Sequence, residues 1–329
     1  MTRLWPREQL RTVTSGALML PMPQYHSGSQ FVIALSGALL LHTSVCSQTV
    51  QGAGTPAATH PASDLIYEDI FGFSSNAETG SRGDKGAGLE TVGRFAKRDG
   101  RYFALGPKYF TGYTFADNWW VGISAFGELH RIKNVSVQPV NLSRRHFDGA
   151  SIEIMHRLIA RTAANPFGLS VSFEPRWGRV DGGSGLVATS TSGEFKLFAD
   201  AEIIPGKVFW AANANWAPGV QKDPTLQTTW VRSSSTNLST AIAFAVGNEA
   251  TLGAEIRYQS QFNKLLPRSL AGHALFVGPT AMVHLTDDVS LNGTFSMQVA
   301  GAAKATPDKR LDLDNFERRN FRVALQAAF

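Results

Sequence analysis

The chain has 329 residues, of which 31 are Lys or Arg and 26 are Asp or Glu, and its net charge is +5. This near balance is unlike the strongly basic surface of a nucleic-acid-binding protein, so no nucleic-acid partner is expected. Cys46 is the only cysteine, which excludes a disulfide framework and a zinc–thiolate site. The mean hydropathy of −0.09 fits either a secreted soluble protein or a β-barrel whose apolar outer face is balanced by a polar lumen.

Residues 1–47 have the features of a secretory signal peptide. Three arginines precede the apolar run 31–41, which is too short to span a bilayer as a mature helix. Small residues occupy the −3 and −1 positions of a site after Ser47, so we expect cleavage there. A buried core helix is the alternative for the apolar run. Cleavage would remove Cys46 and leave 28 basic and 25 acidic residues.

The next segment, 48–88, changes composition twice. Residues 48–63 are small, polar and Pro-containing, which predicts a disordered leader. Residues 64–73 are more apolar, and 74–88 are again rich in Gly, Ser and charge. We expect 48–88 to form a flexible periplasmic leader or plug segment. An extra strand within 64–88 is the alternative.

From residue 89 to residue 329, apolar and polar side chains alternate between turn signals, which is typical of antiparallel β-strands. The clearest case is 167–179, where Phe167, Leu169 and Val171 oppose Gly, Ser and charged residues. Twelve stretches share the pattern: 89–95, 103–115, 119–129, 147–159, 167–179, 195–203, 208–216, 238–246, 252–262, 275–285, 289–299 and 317–329. An even count of about twelve suits a single-chain bacterial barrel.

The connections between these stretches alternate between tight turns and long polar loops, as in outer-membrane barrels. Aromatic residues concentrate near both ends of the stretches, which predicts a girdle at each membrane interface. Pro107, Pro175 and Pro279 fall on interior strands, where Pro lacks the ladder donor, so we expect bulges or register kinks there. A soluble sandwich or propeller is the alternative, but it does not explain two aromatic rings.

The last stretch carries a candidate assembly signal, formed by Phe321, Val323, Leu325 and Phe329. It resembles the C-terminal signal of bacterial outer-membrane proteins, in which alternating apolar positions end in Phe. In a closed barrel this strand would pair with the first one and leave no open edge. The fold class predicted is all-β: a transmembrane antiparallel β-barrel of about 12 strands over 89–329, in the outer membrane of a Gram-negative bacterium.

Strand parity also predicts which charged side chains face the lumen. This predicted lumen network consists of Glu90, Arg94, Lys108, Glu128, His130, Glu153, Arg157, Glu174, Arg176, Glu194, Lys196, Asp200, Glu202, Glu255, Arg257, Arg318 and Arg322. Glu174/Arg176, Glu194/Lys196 and Glu255/Arg257 are spaced two apart on one face, so each is expected to pair. Charges in a low-dielectric wall must be paired or wet. The network could simply fill the barrel, or it could select a solute, and both alternatives stay open.

No catalytic residue, metal site or cofactor is predicted. Ser124 and His130 share a face with Glu128, but they lie about 20 Å apart along the strand and cannot form one triad. The Gly-rich stretch 181–185 lacks the Lys-Ser/Thr that a phosphate-binding loop requires. We interpret it as a flexible outer loop.

Three stretches carry a family resemblance: DIFGF at 69–73, GRFAKRDGRY at 93–102 and AGHALFVGPT at 271–280. They resemble proteobacterial outer-membrane barrels described as transporter-like or related to the meta-pathway phenol-degradation proteins. The resemblance covers about 64–329. It implies the barrel fold and an outer-membrane location, and it assigns no catalytic residues.

The function expected from these features is passive, selective transport or binding of small solutes, without enzymatic activity. An outer-membrane hydrolase acting on lipid is the alternative, and a structural or adhesive barrel is the third. The expected partners are outer-membrane lipid and lipopolysaccharide, the barrel-assembly machinery, and small solutes whose identity the sequence does not give.

Overall fold

The computed structural model describes residues 69–162 and 164–329, and within them twelve antiparallel strands close into one barrel. In chain order the strands are β1 (Lys85–Phe95), β2 (Arg101–Ala116), β3 (Trp119–Lys133), β4 (Leu142–Ile159), β5 (Phe167–Val180), β6 (Val187–Ile204), β7 (Val208–Lys222), β8 (Trp230–Val246), β9 (Ala250–Phe262), β10 (Leu270–Thr286), β11 (Val289–Ala303) and β12 (Arg319–Ala328). The all-β barrel fold and its strand number are therefore confirmed. In these same residues, no helix has the length and apolarity needed to cross a bilayer. The predicted signal peptide, 1–47, and the leader up to residue 68 lie outside the described residues.

The distribution of side chains is the reverse of that in a soluble protein. Large apolar side chains on the outer face are half exposed, among them Ile123 at 55% and Leu252 at 56%. Inward positions hold buried polar or charged groups, such as Glu255 at 1% and Asn292 at 2%. An apolar band outside and a polar lining inside are typical of transmembrane β-barrels, because lipid replaces water on the outer face.

The barrel closes where the first strand meets the last. Leu89 pairs with Leu325 in a continuous antiparallel ladder. Beyond it, the Phe329 amide donates to the Lys85 carbonyl at 2.9 Å, and the Lys85 amide donates to the Phe329 carbonyl at 3.2 Å. The terminal residue therefore completes the seam that would otherwise be an open edge.

Several strands extend further toward the long-loop end than the alternation predicted. β4 begins at Leu142, β6 at Val187 and β8 at Trp230, within stretches that we interpreted as loops. There, polar residues occupy both faces, as in the Ser233–Ser235 stretch of β8. Strand pairing continues where the outer face no longer meets lipid, so alternation cannot reveal it.

The expectation of bulges at the three prolines is wrong. Pro107 pairs with Thr91, Pro175 with Gly193 and Pro279 with Ala254 in one ladder each. In the other ladder of each strand, pairing is interrupted at the proline and resumes without a register shift. A proline omits one ladder hydrogen bond, and the strands continue in register past it. Register shifts occur at other positions, for example between β3 and β4, where Asp148 is the extra residue between Phe147 and Gly149.

Candidate functional site

Residues 69–79, here called the lumenal segment, lie inside the barrel at the end where β1 begins and β12 ends. Ile70 and Phe71 are fully buried and pack against Phe209 of β7 and Met282 of β10. These contacts form an apolar core inside a lumen that is otherwise polar. The lumenal segment therefore occupies the half of the lumen nearest the short turns, which is the periplasmic half in barrels of this type.

Successive residues of the lumenal segment bond to successive strands. The Phe73 amide donates to the Glu255 carboxylate of β9 at 2.6 Å, and the Ser74 and Ser239 hydroxyls are 2.9 Å apart. Further along, the Ser75 amide reaches Asn213 Oδ1 of β7, and the Ala77 amide reaches Asp200 Oδ2 of β6, both at 2.7 Å. The segment follows the inner wall from one strand to the next, with its amides bonded to inward acceptors.

Ion pairs hold the lumenal segment near both of its ends. The Arg322 guanidinium of β12 lies 2.9 Å from Asp69 Oδ2 and 2.9 Å from Glu90 Oε2. At the other end, Glu78 pairs with Arg157 of β4 and with Arg161, the latter at 2.9 Å. These buried pairs would be expensive to break, since each removal would leave an uncompensated charge.

Arg257 of β9 contacts both the lumenal segment and the wall. Its guanidinium carbon lies 3.5 Å from the centre of the Phe73 ring, and Nη2 donates to Asn320 Oδ1 at 2.7 Å. Its Nε is 3.7 Å from Glu255 Oε1, so the pair expected from the spacing is present. The stacking of a desolvated guanidinium on Phe73 adds to the attachment of the segment.

Lys196 of β6 is the centre of the charged lining. Its Nζ lies 3.1 Å from Glu153 and 3.6 Å from Glu194, and it also pairs with Glu174. Ser172 donates to Glu153, and Ser151 donates to Glu174, both at 2.6 Å. Three carboxylates from β4, β5 and β6 therefore share the ammonium group of Lys196.

The pairing of Glu174 with Arg176 expected from their spacing is wrong. Arg176 pairs with Asp148, whose other oxygen accepts the Val180 amide at 2.9 Å. Residues two apart on a strand share a face, but the neighbouring strand offers a closer carboxylate. Alternation counted back from the outward Ile152 would place Asp148 on the outer face, but the bulge breaks that parity and turns the Asp148 side chain inward.

The outer half of the lumen is covered by residues 181–186, here called the inward loop, between β5 and β6. The Tyr102 hydroxyl donates to the Gly183 carbonyl at 2.9 Å, and His130 Nε2 lies 3.0 Å from the Gly182 carbonyl oxygen. Asp181 accepts from the Ser184 amide at 2.7 Å and from the Gln221 side chain at 2.8 Å. These bonds fix the stretch that we interpreted as a flexible outer loop.

Burial disfavours the charge on Asp181, but the hydrogen bonds from Ser184 and Gln221 outweigh it. They hold the pKa of Asp181 below its usual value. Asp181 therefore stays ionised near neutral pH and keeps its bonds within the inward loop.

A cavity of about 330 Å³, here called the outer cavity, lies beside the inward loop. Arg94 and Glu128, whose Nη2 and Oε2 are 3.0 Å apart, line one side with Arg176 and Asp148. The other side is formed mainly by neutral hydroxyl and amide side chains of β6 to β9: Ser190, Thr191, Ser192, Gln221, Ser233, Ser234, Ser235 and Gln261. The volume suits a small solute, and the lining suits a polar one.

A family model described as "Family of unknown function (DUF6662)" matches residues 63–329. The chain belongs to this family. No curated protein is significantly similar in sequence. The narrower resemblance to transporter-like and phenol-degradation barrels stays a prediction.

Solved outer-membrane barrels are similar in structure to this DUF6662 member. The COG4313 outer membrane channel from Pseudomonas putida F1 has a TM-score of 0.51 and 10% identity, over 77% of this chain and 98% of that chain. The NanC porin has a TM-score of 0.41 and 11% identity, over 73% and 98%. The β domain of the Bordetella autotransporter BrkA has a TM-score of 0.46 and 10% identity, over 75% and 100%. The likeness to the channel shows the outer-membrane β-barrel fold.

Three predicted network members of this DUF6662 chain lie outside the ion pairs and hydrogen bonds described above. Lys108 faces Glu90 across the β1–β2 ladder, with its Nζ 5.6 Å from the Phe110 ring centre. Glu202 accepts the Gly206 amide in the turn after β6. Arg318 precedes β12 and is exposed.

Parity did not identify several of the residues that hold the lumen together. Asp69, Glu78 and Asp181 lie outside the strands, and Asp148 lies in the bulge. Asp69 and Glu78 could have been found from the sequence, because acidic residues flank the apolar run that contains Ile70 and Phe71. A plug segment whose ends carry acids requires basic partners in the wall.

The geometry around His130 differs from that of a hydrolase. Its Nδ1 is 3.8 Å from Glu128 Oε2, as an orienting acid would be. Its Nε2, which would have to face a serine nucleophile, is bonded to the Gly182 carbonyl instead. The position required for the nucleophile is therefore filled by backbone.

Proposed function

We propose that this protein is a passive outer-membrane channel for small polar solutes, and that the lumenal segment keeps it closed. The observation that carries the proposal is the arrangement along the barrel axis. The outer cavity leads toward the charged lining around Lys196, and the lumenal segment lies beyond it. A solute entering the outer cavity could reach the periplasm only if the lumenal segment moved.

The composition of the lumen supports a transport role over a structural one. A twelve-stranded barrel is wider than the eight-stranded barrels that side chains fill alone. A purely structural barrel could be filled with apolar side chains at lower cost, because burying charge is expensive. Here the inner wall is charged and hydroxyl-rich, and a separate segment fills part of it.

The attachment of the lumenal segment supports movement. Its bonds to the wall are side-chain contacts, such as those of Ser74 and Arg322, and not a strand ladder. Replacing a few polar contacts by water costs less than removing a strand from the sheet. We infer that the segment moves while the barrel stays intact, and that the protein acts in the outer membrane without catalysing a reaction.

A reversible cross-link tests this proposal. The Ser74 and Ser239 hydroxyls are 2.9 Å apart, so the double variant Ser74→Cys/Ser239→Cys places two thiols within reach of a disulfide. Cys46→Ser removes the only native cysteine. In planar bilayers we expect small, intermittent wild-type currents, no current from the oxidised variant, and recovery on reduction.

Each single cysteine variant is the matched control and should show wild-type currents with and without reductant. Large, steady, porin-like currents from the oxidised variant would contradict the proposal, because they would show a path that the fixed segment does not block. Wild-type and reduced protein that never conduct would favour a structural barrel.

A further inference from the structure

The outer face of the barrel carries a dense group of cations at the long-loop ends of β2 to β5. This group, here called the basic rim, consists of Arg101, Arg131, Lys133, Arg145 and Arg179. All five are exposed. They occupy outward positions of their strands, on the same face as lipid-facing residues such as Phe147, which is 55% exposed, and Trp177, which is 42% exposed.

The strand register brings these cations together. Arg101 of β2 is directly opposite Lys133 of β3. Arg131 lies two residues before Lys133 on the same face, and Arg145 of β4 is opposite Leu129, diagonal to Arg131. Like charges directly opposite each other destabilise a sheet. The arrangement therefore favours an anion bound between them.

Carboxylates of the described residues do not supply that anion. The outward positions of β2 to β5 contain no Asp or Glu, and in residues 69–162 and 164–329 none of the five cations forms an ion pair. Asp148 is inward and paired with Arg176. Asp99, in the loop next to Arg101, accepts the Ser136 amide and hydroxyl at 2.8 and 2.9 Å.

The position of the basic rim relative to the membrane indicates the source of the anion. Arg101, Arg145 and Arg179 each lie two residues beyond an outward aromatic residue, in Arg101–Phe103, Phe147–Arg145 and Trp177–Arg179. Two residues of a strand rise about 7 Å. Because aromatic girdles mark the membrane interface, the cations lie at the level of the outer-leaflet headgroups.

We propose that the basic rim binds the phosphate groups of a phosphorylated glycolipid of the outer leaflet. Guanidinium groups suit this ligand, because their planar donors match phosphate oxygens bidentately. The aromatic residues below them would pack against the acyl chains. The site would orient the barrel and fix lipid against β2 to β5, and this holds whether or not the protein conducts solutes.

The test uses the mature protein purified from outer membranes in nonionic detergent and stripped of lipid. The probes are bis-phosphorylated lipid A, the same glycolipid with its phosphates removed, and inorganic phosphate. The rim variant is Arg101→Gln/Arg131→Gln/Lys133→Gln/Arg145→Gln. Its control is Lys222→Gln/Arg232→Gln, which removes outward cations of β7 and β8. Binding is measured as the rise in heat-modification temperature with probe concentration.

We expect the phosphorylated glycolipid to bind wild type and control alike, and to bind the rim variant at least tenfold more weakly. The dephosphorylated glycolipid and inorganic phosphate should have no such effect. Should the rim variant fail to fold without lipid, Arg131→Gln/Lys133→Gln, confined to β3, should show a smaller loss in the same direction.

Three results would overturn the proposal. Equal binding by the rim and control variants would show that the basic rim is not the site. Equal binding of both glycolipids would show that phosphate is not recognised. A saturable effect of inorganic phosphate equal to that of the glycolipid would identify a free-anion site.

Discussion

The Arg322 guanidinium of the closing strand lies 2.9 Å from the Asp69 carboxylate, although 253 positions separate the two residues in the chain. The same guanidinium holds Glu90 on the first strand at 2.9 Å and the Gly72 carbonyl. One side chain therefore joins both strands of the seam to the lumenal segment. Closure of the barrel and binding of the lumenal segment therefore depend on the same side chain, Arg322.

Arg322→Gln is expected to open the channel and destabilise the protein. It would remove the cation that Asp69 and Glu90 share, a loss of about 3–5 kcal/mol for a broken buried pair. Bilayer currents should rise and the heat-modification temperature should fall. Asp69→Asn, which affects the lumenal segment and spares Glu90, should raise currents with little loss of barrel stability. Unchanged currents in both variants would show that the Arg322–Asp69 ion pair does not keep the channel closed.

Lys196→Met is expected to make the channel strongly cation-selective. It would leave Glu153, Glu174 and Glu194 with no shared cation, and such carboxylates recruit cations. Arg176→Ala is the comparison, because it frees only Asp148 and should shift selectivity less. Cation selectivity is measured as the reversal potential in a KCl gradient. Asp69→Asn is present in each protein, because it is expected to raise the currents. A larger shift in Arg176→Ala would contradict the pairing described above.

Acidification is expected to release the inward loop. The pKa of Asp181 is held below its usual value, so the ionised form stabilises the docked loop. That stability is present above the unfolded value of about 3.9 and is lost as the pH falls through the lower docked value. A spin label at Gly183→Cys, with Cys46→Ser, should stay immobile from neutral pH down to about 5. Its mobility should begin to rise only below the unfolded value of about 3.9 and should increase further as the pH falls through the lower docked value.

Asp181→Asn is the control for that experiment. It removes the titrating group, so the label should be mobile at every pH and show no step. A step that persists in Asp181→Asn would assign the pH dependence to another group.

Deleting Phe329 is expected to prevent insertion while synthesis continues. Its backbone completes the seam with Lys85, and its side chain is 71% exposed on the outer face. Loss of the residue would shorten the closing ladder and remove the aromatic end of the assembly signal. Phe329→Tyr keeps an aromatic ring and should insert normally. Heat-modifiable protein at wild-type level in outer membranes of the deletion strain would refute this role.

Local pattern was enough to identify the barrel and the orientation of most of its side chains. Side chains of a strand alternate between two faces, so an apolar set such as Phe167, Leu169 and Val171 identifies the lipid face without knowledge of any neighbour. The inward placement of Glu90, Lys196 and Arg322 follows from the same rule. Alternation did not predict the paired long-loop ends of β4, β6 and β8, because polar residues occupy both faces of the strands there.

Spacing along one strand predicted the Glu194–Lys196 and Glu255–Arg257 pairs, but tertiary structure decided the partners that come from different strands. Arg176 lies two residues from Glu174 in sequence, yet it pairs with Asp148, because the β3–β4 bulge turns that carboxylate into the lumen. The path of the lumenal segment and the docking of the inward loop likewise depend on acceptors from several strands. Alternation along one strand specifies a face, whereas a salt bridge between two strands requires the register between them, which no single stretch of sequence contains.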